Sequence, residues 1–93
     1  MKNNYCNFFG KVLGRVQGVG YRAWFKKNAE KFNINGWVKN CEDSSVEFEI
    51  YAKRVVLDKF IKICYKGPLF SKVDKIIITE KTKNKLHNFK IIY

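Results

Sequence analysis

A chain of 93 residues with 46% hydrophobic and 16% aromatic content supports one domain, 1–93, with a real though small core, and is too apolar to stay disordered. No apolar run approaches the roughly 18 residues that would span a bilayer, and the N-terminus lacks the apolar segment of a secretory signal; no membrane partner is expected, and the cytoplasm is the default compartment. The formal charge of +11, from 19 Lys and Arg against 8 Asp and Glu, makes a polyanion partner worth weighing, but the lysines run through every segment instead of gathering in one block.

Residues 6–16 alternate, with Phe8, Gly10, Val12, Gly14 and Val16 on one face and Phe9, Lys11, Leu13 and Arg15 on the other, which predicts a strand. From Tyr21 the spacing changes to a helical stripe of Tyr21, Phe25, Ala29 and Phe32, ending near Asn33 to Asn35. Residues 34–40 and 45–51 read as two strands of a hairpin joined by Cys41, Glu42, Asp43 and Ser44; in the second, Val46, Phe48 and Ile50 alternate with Glu47, Glu49 and Tyr51. Between Arg54 and Lys66, Leu57, Phe60, Ile61 and Cys64 recur at helical spacing until Gly67 and Pro68 stop the helix. The β-branched run 73–79 predicts a strand, 81–88 a charged turn, and 89–93 a short final strand with Phe89, Ile91 and Tyr93 on one side. The order is β-α-β-β-α-β plus a short β. Two helices that each bury one stripe share one face of an antiparallel sheet, so the expected class is α+β with a ferredoxin-like sandwich and a short fifth strand. The three cysteines lack Cys-x-x-Cys spacing and His87 is the lone histidine, so neither a disulfide framework nor a metal site is expected, and no cofactor.

The stretch between the first strand and first helix carries the chemical signal. Gly18 and Gly20 let the backbone approach a ligand closely, so that successive N–H groups can point into one concavity, and the following helix start adds unpaired N–H groups and a partial positive charge. Arg22 at that helix start offers a guanidinium fork matched to two phosphate oxygens, and an anion would relieve its repulsion by the helix dipole. The run from Gly14 to Arg22 is therefore a candidate phosphate seat. The glycines at 14, 18 and 20 fit neither a Walker loop nor a dinucleotide fingerprint, and by spacing alone the stretch reads equally as an ordinary strand-to-helix turn.

The run Gly14-Arg15-Val16-Gln17-Gly18-Val19-Gly20-Tyr21-Arg22 resembles the signature of the acylphosphatase family, Gly-x-Val-Gln-Gly-Val-x-Phe/Tyr-Arg, and Gly36-Trp37-Val38-Lys39-Asn40 resembles that family's Gly-Trp-Val-x-Asn. The resemblance continues through Ser71-Lys72-Val73-Asp74 and the closing 89–93 segment. It implies the ferredoxin-like fold and hydrolysis of an acyl phosphate to carboxylate and inorganic phosphate, with no metal. It implies a phosphate-binding loop of Gln17, Gly18, Val19, Gly20, Tyr21 and Arg22, with Arg22 as the phosphate-binding residue, and Asn40 positioning the attacking water. An amide donates and accepts but takes no proton at neutral pH, so Asn40 orients and is not a base; the resemblance further implies that the proton passes to the substrate's own phosphate. A carboxylate leaves readily, so holding the phosphoryl group, neutralising its oxygens and aiming a water are what such a site must do.

Without the resemblance, Asn40 at a strand end is by default a turn residue, Trp37 and Tyr21 are packing residues, Gln17 shapes the loop, and Glu47, Glu49 and Asp43 are solvated. Four positions depart from the family pattern. Ser44 stands where the hairpin usually has glycine and must either change the turn or enter positive φ; Gly20 replaces a bulkier residue, Cys41 a Thr or Ser, and Ile92 a common Arg.

Two rivals remain. A basic RNA-binding module of the same topology would stack bases on the open sheet face, where Glu47 and Glu49 should repel phosphates, so no nucleic acid partner is expected. A carbamoyl-phosphate-processing domain, as in hydrogenase-maturation carbamoyltransferases, would use the same seat but needs a partner domain to receive the carbamoyl group. The expected partners are thus a small acyl phosphate and its product phosphate, on a monomer.

Overall fold

In the first strand, alternation decides which side chains meet the helices. The computed structural model describes residues 4–81 and 84–93, in which β1 (Tyr5–Arg15), α1 (Tyr21–Lys31), β2 (Asn35–Asn40), β3 (Val46–Lys53), α2 (Arg54–Cys64), β4 (Lys72–Lys81) and β5 (Phe89–Ile92) follow in chain order. Thr82 and Lys83 of the expected charged turn lie outside the described residues. Phe8, Val12, Val38, Val46, Phe48 and Ile50 face the helices and are buried, meeting Tyr21, Phe25 and Ala29 of α1 and Leu57, Phe60 and Cys64 of α2. Phe25 is the hub, with ring centroids 4.9 Å from Phe48, 5.1 Å from Phe60 and 5.7 Å from Phe89. Gly10 pairs with Phe48 across the β1–β3 ladder and leaves room for its ring: a Cβ on Gly10 would stand 2.0 Å from Phe48 Cζ.

The sheet order is β4-β1-β3-β2-β5, so the ferredoxin-like expectation holds. β1 runs antiparallel to β3 and β4, and β2 antiparallel to β3, but β5 adds to β2 in parallel, which makes the sheet mixed. These directions put the end of β1, the β2–β3 hairpin, the start of β4 and the end of β5 at one end of the sandwich, since Arg15 pairs with Lys72, Asn40 with Val46 and Lys39 with Ile92.

Three expectations need correction. Phe32 does not complete the buried stripe: it is the C-cap of α1, exposed at the rim and edge-on to Phe60 at 6.1 Å. Trp37 does not serve the core, because its neighbours Gly36 and Val38 take the helix side; it lies half-buried on the opposite face, edge-on to Phe9 at 6.1 Å. Glu49 is not solvated. It is buried on that same face, accepts a hydrogen bond from Asn7 Nδ2 at 2.9 Å and has Lys81 Nζ at 3.7 Å. The 84–86 stretch is tied to the same face: Asn7 donates to Asn84 O and accepts from Asn84 N, while Asn35 Nδ2 donates to Leu86 O at 3.0 Å. Asp43 is exposed as expected, and it is also paired, 2.7 Å from Lys11 Nζ.

Candidate active site

The loop after β1 must reverse the chain in very few residues and hand it to α1. Gly20 is the N-cap and sits in the left-handed region at φ 80°, ψ 19°, where no side chain is strained because none is present. Its carbonyl accepts the first helical bond from Trp24 N at 3.0 Å. No side chain caps α1 and its first turn contains no acid, so the N–H groups of Tyr21, Arg22 and Ala23 lie ahead of the first helical donor at the positive end of the dipole.

These residues border a cavity of about 160 Å³ lined by Val16, Gly18, Gly20, Tyr21, Arg22, Ala23, Asn40, Ile91 and Tyr93. Of the six loop residues expected from sequence, Gly18, Gly20, Tyr21 and Arg22 line it, whereas Gln17 and Val19 do not. Val19 packs against the core instead. Gln17 turns to the hairpin, donating from Nε2 to Cys41 O and to Ser45 O, both at 2.8 Å. Tyr21 has a packing role as expected: its ring is buried and its hydroxyl donates to Cys64 O at 2.8 Å, and burial raises its pKa so that it stays neutral.

Arg22 is half-buried, forms no ion pair among the described residues, and its guanidinium carbon lies 4.9 Å from the centre of the Tyr93 ring. Stacking of this kind orients the fork without consuming its N–H donors. Asn40 ends β2 and enters the cavity from the sheet side; its Oδ1 is buried without a hydrogen-bond partner among the described residues. A buried acceptor with no partner is rare enough in proteins to mark a place where something else donates to it. The cavity is thus bordered by one guanidinium, a set of helix-terminal N–H groups and the Asn40 amide, an arrangement suited to an anion with a water beside it.

The hairpin that carries Asn40 resolves the Ser44 question in favour of strain: Ser44 takes φ 76°. The turn is held by Cys41 N to Ser45 O at 2.9 Å and Ser44 N to Cys41 O at 3.2 Å, while Asp43 accepts from Ser45 N at 3.1 Å and Ser45 Oγ at 2.5 Å. Ile92, another departure, is exposed on the opposite face of the sheet from the cavity. Sequence reading missed Ile91 and Tyr93 as cavity residues. No local pattern marks them; they arrive because β5 adds in parallel beside β2, which brings its end next to Asn40.

Fold and site together define a ferredoxin-like α+β domain with an electropositive pocket at one end. The chain belongs to the acylphosphatase family, whose family model, Acylphosphatase, matches residues 8–91. It is 43% identical to an acylphosphatase of Clostridium acetobutylicum over 84 residues, or 89% of this chain and 92% of the relative. Among solved structures, an acylphosphatase from Bacillus subtilis matches with a TM-score of 0.91 at 37% identity, covering 95% of this chain and 99% of that one. A full-length HypF in a phosphate- and nucleotide-bound form matches with a TM-score of 0.87 at 25% identity, covering 100% of this chain and 12% of that one.

Proposed function

We propose that the chain hydrolyses the carboxyl-phosphate anhydride of small acyl phosphates, giving a carboxylate and inorganic phosphate, with Arg22 and Asn40 as the catalytic residues. The observation that carries the reading is the convergence, on one small cavity, of the uncapped start of α1, the Arg22 side chain and Asn40, whose Oδ1 is buried without a partner among the described residues. The phosphoryl group sits against the N–H groups at the start of α1, and Arg22 bridges two of its oxygens. Asn40 Oδ1 accepts a hydrogen bond from a water and aims its oxygen at phosphorus in line with the carboxylate leaving group. As the P–O bond to water forms and the bond to the acyl oxygen breaks, charge on the equatorial oxygens is met by fixed dipoles and one guanidinium. The carboxylate departs without needing a general acid, and the water's proton passes to a phosphoryl oxygen. Membership of the acylphosphatase family supports the same substrate class.

The proposal extends to a monomer of one domain, 1–93, acting in the cytoplasm without nucleic acid. The burial of Glu49 and its pairing with Lys81 weaken the charge argument against RNA, yet the 84–88 segment bonds across the open sheet face at Asn7 and Asn35, over the surface on which bases would stack. The second reading, a carbamoyl-phosphate-processing role, is favoured by one observation: the fold matches a part of the much longer HypF.

The test is phosphate release by the purified protein from acetyl, benzoyl and carbamoyl phosphate, with a phosphomonoester as control. Acetyl and benzoyl phosphate should be hydrolysed and the monoester should not. Arg22→Ala and Asn40→Ala should each abolish release with unchanged circular dichroism, and full activity in either would overturn the roles given to them. Turnover of carbamoyl phosphate alone would favour the second reading.

A further inference from the structure

Apart from Tyr93 beside the cavity, the most exposed large apolar side chains among the described residues stand together on the connection between α2 and β4. Leu69 is 87% exposed and Phe70 is 74% exposed. They are the two central residues of a closed turn: Ser71 N donates to Pro68 O at 3.0 Å, and Ser71 Oγ donates to the same carbonyl at 2.7 Å. Close packing of Gly67, where a Cβ would stand 2.2 Å from Ser71 Oγ and 3.1 Å from Tyr21 Cε2, fixes the base of the turn to the core. The tip is therefore a rigid apolar projection, and the fold gains nothing from it.

Its surroundings are basic. Lys66 and Lys72 bracket the turn, Arg15 is the ladder partner of Lys72, and all three are exposed with no carboxylate within ion-pair distance among the described residues. Asp74, also exposed, is the one acid in this stretch from 66 to 75, which also holds Lys75. Two apolar side chains on a tip make too small a surface for a stable protein interface, which needs on the order of 800 Å² from each partner. A second copy of this chain would also set one basic collar against another. A lipid surface asks for less: a short apolar wedge that enters the acyl boundary, and cations that meet anionic headgroups, the pairing of two weak signals that together give useful membrane affinity.

We infer that the Pro68–Ser71 turn, with Leu69 and Phe70 as wedge and Arg15, Lys66 and Lys72 as collar, docks this protein on anionic membrane surfaces. This contact differs from a spanning segment, and the sequence reading, which expected no membrane partner, had no means to see the turn's projection. The wedge is outside the cavity lining, so the inference stands independently of the proposed reaction.

The experiment is co-sedimentation of the full chain with phosphatidylcholine vesicles, with and without phosphatidylserine, at low and high salt. Binding should require phosphatidylserine and weaken with salt. Leu69→Ser/Phe70→Ser should weaken partition by about tenfold or more, the worth of losing a buried apolar side chain or two. Lys66→Glu/Lys72→Glu should abolish it, with circular dichroism unchanged in both variants. Failure of the wild type to sediment with phosphatidylserine vesicles at low salt would overturn the inference. Undiminished binding by Leu69→Ser/Phe70→Ser would also overturn it, and so would self-association of the wild type, without vesicle binding, that the same pair of substitutions removes.

Discussion

Gln17 Nε2 donates to both Cys41 O and Ser45 O at 2.8 Å, and so ties the loop that forms the cavity floor to the hairpin that holds Asn40. The two carbonyls also accept backbone bonds that close the hairpin, so the amide completes a joint between two separately built pieces of the site. Gln17→Leu should lower kcat/KM by about tenfold to a hundredfold through displacement of Asn40 relative to Arg22. Because both act on the placement of one water, Gln17→Leu added to Asn40→Ser, which keeps a short acceptor and residual turnover, should cost almost nothing more. Additive losses in that double-mutant cycle would show that Gln17 acts on something else.

Arg22→Lys keeps a positive charge but loses the planar fork that reaches two oxygens and stacks on Tyr93. A fall of about 10²–10³-fold in kcat/KM is expected, the usual worth of one preorganised donor set. Tyr93→Ala leaves the fork present but unsupported, and orthophosphate should then inhibit about two- to fivefold more weakly, the equivalent of an exposed cation–π contact. Steady-state kinetics on an acyl phosphate, with and without added orthophosphate, read both effects.

Ser44 at φ 76° carries a cost that glycine would not. Ser44→Gly should raise stability by about 0.5–1 kcal/mol, the relief being partly offset by the freer unfolded chain. Urea midpoints at constant m-value would check it, and a loss of stability would mean that the Ser44 side chain contributes contacts of its own.

Gly10→Ala should destabilise by about 1–3 kcal/mol, because the new methyl group meets the Phe48 ring, which is held on its other side by Phe25. Following it with Phe48→Leu should recover part of the loss. If thermal or urea unfolding found Gly10→Ala as stable as the parent, the Phe48 ring would have to move freely.

Asp43 is held well below the usual carboxylate range, first by its hydrogen bond from Lys11 and then by those from the Ser45 hydroxyl and backbone N–H. With the folded value below the unfolded one, its contribution is present above about pH 4 and is lost as pH falls through the lower folded value. Asp43→Asn should therefore be less stable than the parent at neutral pH, and the gap should close in acid. The pair is exposed, so high salt should shrink the gap too.

Much of this was legible along the chain. The alternation of Phe8, Val12, Val46, Phe48 and Ile50 and the stripes of Tyr21–Phe25–Ala29 and Leu57–Phe60–Cys64 each follow from local periodicity, and all point toward the helix side of the sheet. Trp37 and Glu49 were misread because residue type was allowed to stand for environment: an aromatic was sent to the core and an acid to solvent. Their surroundings are set by a face of the sheet that Asn7, Asn35 and the 84–88 segment close over, at sequence distances that no local pattern spans.

By itself the sequence determined the elements, the punctuation between β1 and α1 and the candidacy of Arg22, because backbone freedom at Gly20 and apolar spacing are properties of short stretches; Asn40 entered only through the resemblance of Gly36–Asn40 to the family's second motif. Tertiary structure alone decided that Arg22 and Asn40 border one cavity, that Gln17 braces it from behind, and that Ile91 and Tyr93 complete its wall. Those outcomes depend on strand order and on the parallel addition of β5, which are fixed by burying several distant apolar faces at once.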